Sequence, residues 1–131
     1  KSPRISHPEG LLAASSALSQ AVVELAPYLE VEQHVQPGDL VYFDPPYDPL
    51  TSTASFTAYT QHNFSSQDQR ELAELFRRLR DKKVKVLLSN SDTPLIRELY
   101  KGFRTVEVSA ARAINSKADR RQKITELLII G

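Results

Sequence analysis

The chain has no cysteine, no methionine and no tryptophan among its 131 residues, and only four glycines. Without cysteine it can form no disulfide and offers no thiolate ligand, which fits a reducing compartment. No apolar run approaches the roughly 20 residues of a membrane-spanning helix. No charged leader followed by an apolar stretch opens the chain. Its three histidines, His7, His34 and His62, share no ligand spacing on one element, so no metal site is expected. Lys1 stands first, no methionine occurs, and the apolar run Leu127-Leu128-Ile129-Ile130 lies directly before Gly131. On those grounds the sequence reads as a fragment of a longer protein.

What is present describes one ordinary domain, 40% apolar and 25% charged, long enough for a single core. The net charge is only +1, but it is unevenly spread. Residues 1–50 hold two basic and seven acidic side chains, whereas residues 101–131 hold seven and three. The basic C-terminal third therefore keeps a polyanionic partner in play.

Two hydrophobic periods alternate along the chain. Pro8 and Glu9 precede Leu11, Leu12, Ala14, Ser15 and Leu18, the spacing of a short amphipathic helix. Residues 21–25 form a short apolar run that suits a strand stopped by Pro27, and residues 29–36 are ambiguous. Pro37-Gly38-Asp39 signals a turn. Behind it, Leu40-Val41-Tyr42-Phe43 suits a strand buried on both faces. A long loop over residues 48–64 carries Phe56, Tyr59 and Phe64. Ser65 with Asp68, and Ser66 with Gln69, have capping-box spacing before a helix whose stripe is Leu72, Leu75, Phe76 and Leu79. Residues 84–88 predict the next strand, with Ser89-Asn90-Ser91-Asp92 as its polar tip. Thr93 then caps a helix with Pro94 at its first position, and Gly102 closes it. Residues 103–108 and 124–130 predict two strands that pair antiparallel as an edge hairpin. The alternation argues for an α/β layered, mostly parallel sheet.

Asp44-Pro45-Pro46-Tyr47 follows the buried strand directly. Two prolines forbid continued sheet pairing, so Asp44 must sit at the strand's C-terminal tip, where open α/β sheets bind ligands. A carboxylate beside a carbonyl held by two fixed dihedrals makes two rigid acceptors. An exocyclic amino group has two N–H donors to match them, and the neighbouring ring offers a stacking face for a heterocycle. A strand that merely stops at a proline pair is the plainer alternative.

These residues carry a resemblance. Residues 40–50 resemble the catalytic stretch of Dam-type DNA adenine methyltransferases, and residues 53–59 resemble the loop just after it. Residues 88–94 with 97–100 are similar to the family's next strand–helix step. Arg112-Ala113-Ile114-Asn115-Ser116, Arg120-Arg121 and Glu126-Leu127-Leu128-Ile129 are similar to its C-terminal segment. The order and spacing agree over residues 37–130. Residues 3–20 resemble, less specifically, the tail of the family's target-recognition region.

The resemblance implies a cytoplasmic enzyme that moves a methyl group from S-adenosylmethionine to the amino nitrogen of adenine in double-stranded DNA. The base would be flipped from the stack. The implied fold is a three-layer class I methyltransferase α/β sheet, its N-terminal strands missing. Residues 1–20 would end the target-recognition region and residues 21–131 would form the C-terminal part of the catalytic domain. By carry-over, Asp44 and the Pro45 carbonyl accept the two amino hydrogens, Pro46 stiffens the turn, and Tyr47 stacks on the base. Asp44 and Tyr28 would touch the cofactor, while Tyr59, Arg112, Lys117, Arg120 and Arg121 would contact DNA. The family's glycine-rich cofactor loop has no counterpart, since glycines 10, 38, 102 and 131 form no cluster. A tyrosine at the end of an apolar run, as Tyr28 is, is more often plain core. Two rival readings are a non-catalytic DNA-binding module and an amino-methyltransferase acting on RNA or protein.

Neutralising Arg120 and Arg121 together should weaken DNA binding across all sequences. It should also flatten the salt dependence of affinity by one to two counterions, about 0.9 for each phosphate no longer neutralised; an unchanged salt slope would assign both residues to a solvated surface.

Overall fold

The computed structural model describes residues 7–50, 64–110 and 124–131. Their elements in chain order are α1 (Pro8–Leu18), a single 3-10 turn (Tyr28–Glu30), α2 (Val31–His34), β1 (Leu40–Phe43), α3 (Ser66–Asp81), β2 (Lys85–Ser91), α4 (Pro94–Leu99), β3 (Arg104–Ala110) and β4 (Ile124–Ile130). The four strands make one sheet in the order β1-β2-β4-β3. β1 and β2 run parallel, and β4 is antiparallel to both β2 and β3.

The expected α/β sheet with an antiparallel edge pair is thus present. Its mostly parallel character is not: among the described residues one pairing is parallel and two are antiparallel. β4 inserts beside β2 instead of staying at the edge, which adds a second antiparallel ladder. The connection from β3 to β4 lies outside the described residues.

Two glycine-assisted turns set the frame. Gly38 takes φ +98 in the turn before β1, and Gly102 takes φ +90 before β3, conformations glycine reaches without steric cost. The first turn is tied to the end of α3. The Gly38 amide donates to the Lys83 carbonyl (2.9 Å) and the Lys85 amide to the Asp39 carbonyl (2.8 Å). These bonds align the starts of β1 and β2, giving the register Leu40↔Lys85 through Phe43↔Leu88.

One face of the sheet carries the core. Val41, Phe43, Val86, Leu88, Leu127 and Ile129 are buried with Leu72, Ala73, Leu75, Phe76 and Leu79 of α3. Side chains alternate along a strand, so Leu40 and Tyr42 of β1 and Val106 and Val108 of β3 lie on the other face, where they are exposed. Phe76 meets Tyr100 and Phe103 edge-on, at 5.2 and 5.0 Å between ring centroids, the arrangement favoured by ring quadrupoles. Among the described residues no helix is long and apolar enough to cross a membrane.

Several local expectations meet differences. α1 forms where its spacing predicts, but none of its residues is buried. The run at residues 21–25 is no strand; Val22, Val23 and Leu25 are exposed, with no described strand beside them to complete a ladder. Residues 89–91, expected as a polar tip, continue β2, because Leu128, Leu127 and Glu126 of β4 pair with them. Thr93 caps α4 through its side chain, with Pro94 at the first position. Phe64 is anchored on the core, its ring 5.7 Å from that of Tyr28.

Ser65 caps α3. Its hydroxyl accepts from the Asp68 amide, and the Asp68 carboxylate accepts from the Ser65 amide at 2.6 Å. The Ser65 side chain and amide hold the Asp68 carboxyl below its ordinary value. That contribution to stability is therefore complete above the ordinary carboxylate pKa and is lost as pH falls through the lowered one. Ser65→Ala should cost about 1 kcal/mol, read as a lower urea midpoint at unchanged slope. Asp68→Asn should flatten the acid limb of the stability–pH curve.

Candidate active site at the strand tips

The chain leaves β1 at Asp44, at the same end of the sheet as Ser89–Ser91 of the parallel neighbour β2. Asp44 continues the alternation of β1, so it shares a face with Tyr42. The register sets Ser89 beside it. The Tyr42 hydroxyl donates to Ser89 Oγ at 2.9 Å, and Ser89 Oγ donates to Asp44 Oδ1 at 2.8 Å. A serine hydroxyl has one proton, so donation to Asp44 requires Tyr42 to act as the donor toward Ser89. One carboxylate oxygen is thereby fixed. Among the described residues nothing hydrogen-bonds to the other, and Asp44 is exposed.

The opposite face of β2 holds the following loop. Asn90 is fully buried and Gln69, on the buried side of α3, is 1% exposed. Gln69 Nε2 donates to the Pro46 carbonyl at 2.9 Å, and Gln69 Oε1 accepts from Asn90 Nδ2 at 3.1 Å. Asn90 Oδ1 in turn accepts from the Asp48 amide at 2.9 Å and the Ser91 amide at 2.8 Å. The Pro46 carbonyl is therefore occupied. Among the described residues no hydrogen bond reaches the Pro45 carbonyl.

Tyr47 is half-buried, and its hydroxyl lies 3.5 Å from Glu126 Oε2 on β4. Burial raises the pKa of its phenol. The carboxylates of Glu126 and Asp44 add to that rise. The phenol thus stays neutral well above neutral pH. Asp44, Pro45 and Tyr47 thus lie in one short run at the tip of β1, a carboxylate, a carbonyl and a ring.

Tyr28 takes no part in this tether. It packs on Phe64 and the core, and its hydroxyl is buried with no partner among the described residues. Its phenol pKa is raised by burial and by Glu71 and Asp68. As a test of fit for a cofactor, this buried hydroxyl is a polar atom with no partner among the described residues, and the charges that act on it, Glu71 and Asp68, are negative. Tyr59, Phe56, Arg112, Lys117, Arg120 and Arg121 lie outside the described residues. Among the described residues no group of three potential metal ligands occurs.

Sequence reasoning missed Gln69. The signal was a polar residue on the apolar stripe, three positions before Leu72 and four before Ala73. Its spacing from Ser66 matched a capping box, but Ser65 with Asp68 forms the box. Ser89 and Asn90, explicable as turn residues, instead point to opposite faces of β2 and hold the two ends of the loop. Ser89→Ala should leave the Tyr42 hydroxyl without its acceptor and cost about 1 kcal/mol of stability. A crystal structure of that variant should show the Asp44 carboxylate in more than one rotamer.

With this geometry in view, comparison with known proteins is informative. The model of the D12 class N6 adenine-specific DNA methyltransferases matches residues 1–114. The chain is 40% identical over 131 residues to the type II methyltransferase M1.LlaDCHI of Lactococcus lactis subsp. cremoris, covering 98% of this chain and 46% of that protein. It is 39% identical over 133 residues to the type II methyltransferase M.MjaIII of Methanocaldococcus jannaschii, covering 100% and 46%. With the DNA adenine methylase of Escherichia coli K12 it shares 39% identity over 103 residues, covering 79% and 37%. The chain thus spans less than half the length of these relatives. The match along residues 1–114 takes in the strand tip, the loop and the tether alike, and the chain belongs to the D12 class N6 adenine-specific DNA methyltransferase family.

Proposed function

We propose that the protein carrying this chain transfers a methyl group from S-adenosylmethionine to the exocyclic amino nitrogen of adenine in double-stranded DNA. The observation that carries this reading is a pair of acceptors at the tip of β1 that no hydrogen bond among the described residues claims. Asp44 keeps one oxygen outside its bond to Ser89, and the Pro45 carbonyl lies next to it while the Pro46 carbonyl is taken by Gln69. Two acceptors side by side match the two hydrogens of an amino group and turn its lone pair outward.

S-adenosylmethionine, when bound, would supply the electrophilic methyl carbon, its sulfur–methyl bond breaking to leave a neutral thioether. Asp44 and Pro45 hold the amino nitrogen and Tyr47 stacks on the flipped base, so that much of the rate comes from alignment. The nitrogen that gains a methyl group sheds one hydrogen as a proton, and the Asp44 carboxylate already holding that hydrogen is the nearest acceptor. These 131 residues offer little for the cofactor itself: Asp44, the Tyr28 ring and no glycine cluster. The methionine portion is therefore assigned to residues outside them.

The open apolar face with Leu40, Tyr42, Val106 and Val108 supports a third layer in the full-length protein, as the class I methyltransferase arrangement requires. α1, which buries none of its own residues, supports residues 1–20 as the end of a target-recognition region. Tyr59, Arg112, Lys117, Arg120 and Arg121 are assigned to DNA, the arginines and lysine to phosphates without sequence preference.

In the full-length protein, Asp44→Ala should lower methyl transfer to adenine duplexes on the order of 10³-fold while the circular dichroism spectrum stays native. The measurement uses labelled cofactor with DNA, RNA and protein substrates in parallel. Near-normal turnover by the variant would contradict the assignment. Wild-type label on RNA or protein alone would favour another amino-methyltransferase, and DNA binding without any transfer would favour a non-catalytic module.

A further inference from the structure

We propose that Gln69 and Asn90 are positioning residues for this reaction: their linked amides fix the peptide planes on both sides of Tyr47 and thereby aim the Pro45 carbonyl and the Tyr47 ring. The inference rests on the function proposed above and adds two residues that touch neither substrate nor cofactor.

The double proline leaves this stretch of backbone short of donors. Neither Pro45 nor Pro46 has an N–H, so the loop cannot be held by ladder donors where it leaves β1. Gln69 grips the Pro46 carbonyl and Asn90 receives the Asp48 amide. These groups belong to the two peptide units flanking Tyr47. The Pro46 ring fixes its own φ, so with the Pro46 carbonyl held a single torsion, ψ of Pro46, is left to orient the preceding peptide plane, which bears the Pro45 carbonyl. Both acceptor and stacking ring are thus referred to α3 and β2 through one pair of side chains.

Only one arrangement of the pair satisfies every group. Asn90 Oδ1 accepts from two backbone amides, so its NH₂ must face Gln69. Gln69 must answer with its oxygen, leaving its own NH₂ for Pro46. Turning either amide over sets like against like in a dry site, where an unmet group is expensive. Packing alone does not call for this: at Gln69's place on the stripe of α3 an apolar side chain would serve as well. The tether is also uncharged.

The test uses the full-length protein with Gln69→Met, which keeps the volume and removes the tether, and Gln69→Glu. Folding is checked by thermal melting. Single-turnover methylation by Gln69→Met should fall about 10- to 100-fold, the effect of a roughly 1 Å misplacement. KM values for DNA and cofactor should stay within about threefold. A folded variant with the wild-type rate would overturn the proposal. Gln69→Glu should be slow at pH 8, its carboxylate opposed to the Pro46 carbonyl. It should regain rate relative to wild type as pH falls, because the neutral acid can donate to Pro46 and accept from Asn90. A pH-independent ratio would overturn the proposal even if Gln69→Met fails to fold. Amide exchange at Asp48 is read separately from catalysis and should speed at least tenfold in Asn90→Ala. Unchanged exchange would refute the tether, whereas accelerated exchange in a protein that methylates no adenine would leave the tether standing and remove the function.

Discussion

Two buried amides hold the chain at the point where it leaves the sheet, and the site exists because they do. The double proline that ends β1 makes a rigid corner, but a rigid corner still needs a fixed orientation. The hydrogen bonds from Gln69 to the Pro46 carbonyl and from the Asp48 amide to Asn90 supply it. Leaving a buried polar group unmet costs about 1–3 kcal/mol, against a whole-domain stability of about 5–15 kcal/mol. A pair of this kind is retained only with all its partners in place, and its geometry is correspondingly sharp.

The site is reached by short steps from the fold. The bonds between the turn at Gly38 and the end of α3 align β1 with β2. That register puts Asp44 beside Ser89 and sends Asn90 to the other face, toward Gln69. A shift of one residue would exchange the two faces, burying the carboxylate and turning the tether to solvent. The apolar stripe of α3 under β1 and β2 fixes the same register independently, since Val41, Phe43, Val86 and Leu88 must all meet it. Core packing and site geometry thus impose one constraint.

Much of this was legible in the sequence where local chemistry decides conformation. Pro45 and Pro46 stop a strand whatever surrounds them, so the tip at Asp44 followed directly. The same holds for the turn at Gly38, the capping box at Ser65 and Asp68, and Thr93 with Pro94. Legibility failed where the deciding partner is distant in sequence. Residues 89–91 look like a polar turn until β4 pairs with them, and residues 21–25 look like a strand until no described neighbour completes it. Gln69 was hidden because a helix stripe is read by its apolar members, and its partners lie 21 and 23 residues away. The Dam-type resemblance pointed to Asp44, Pro45 and Tyr47, but the groups that orient them emerged only from tertiary contacts.

The central claim is that Asp44 and the Pro45 carbonyl receive the two hydrogens of an adenine amino group. A crystal structure of the full-length protein with an adenine-containing duplex and a non-reactive cofactor analogue measures this directly. The account predicts an extruded adenine with its amino nitrogen about 3 Å from both the second Asp44 oxygen and the Pro45 oxygen, and Tyr47 stacked on the ring. An adenine bound elsewhere, with this strand tip facing only solvent, would contradict it.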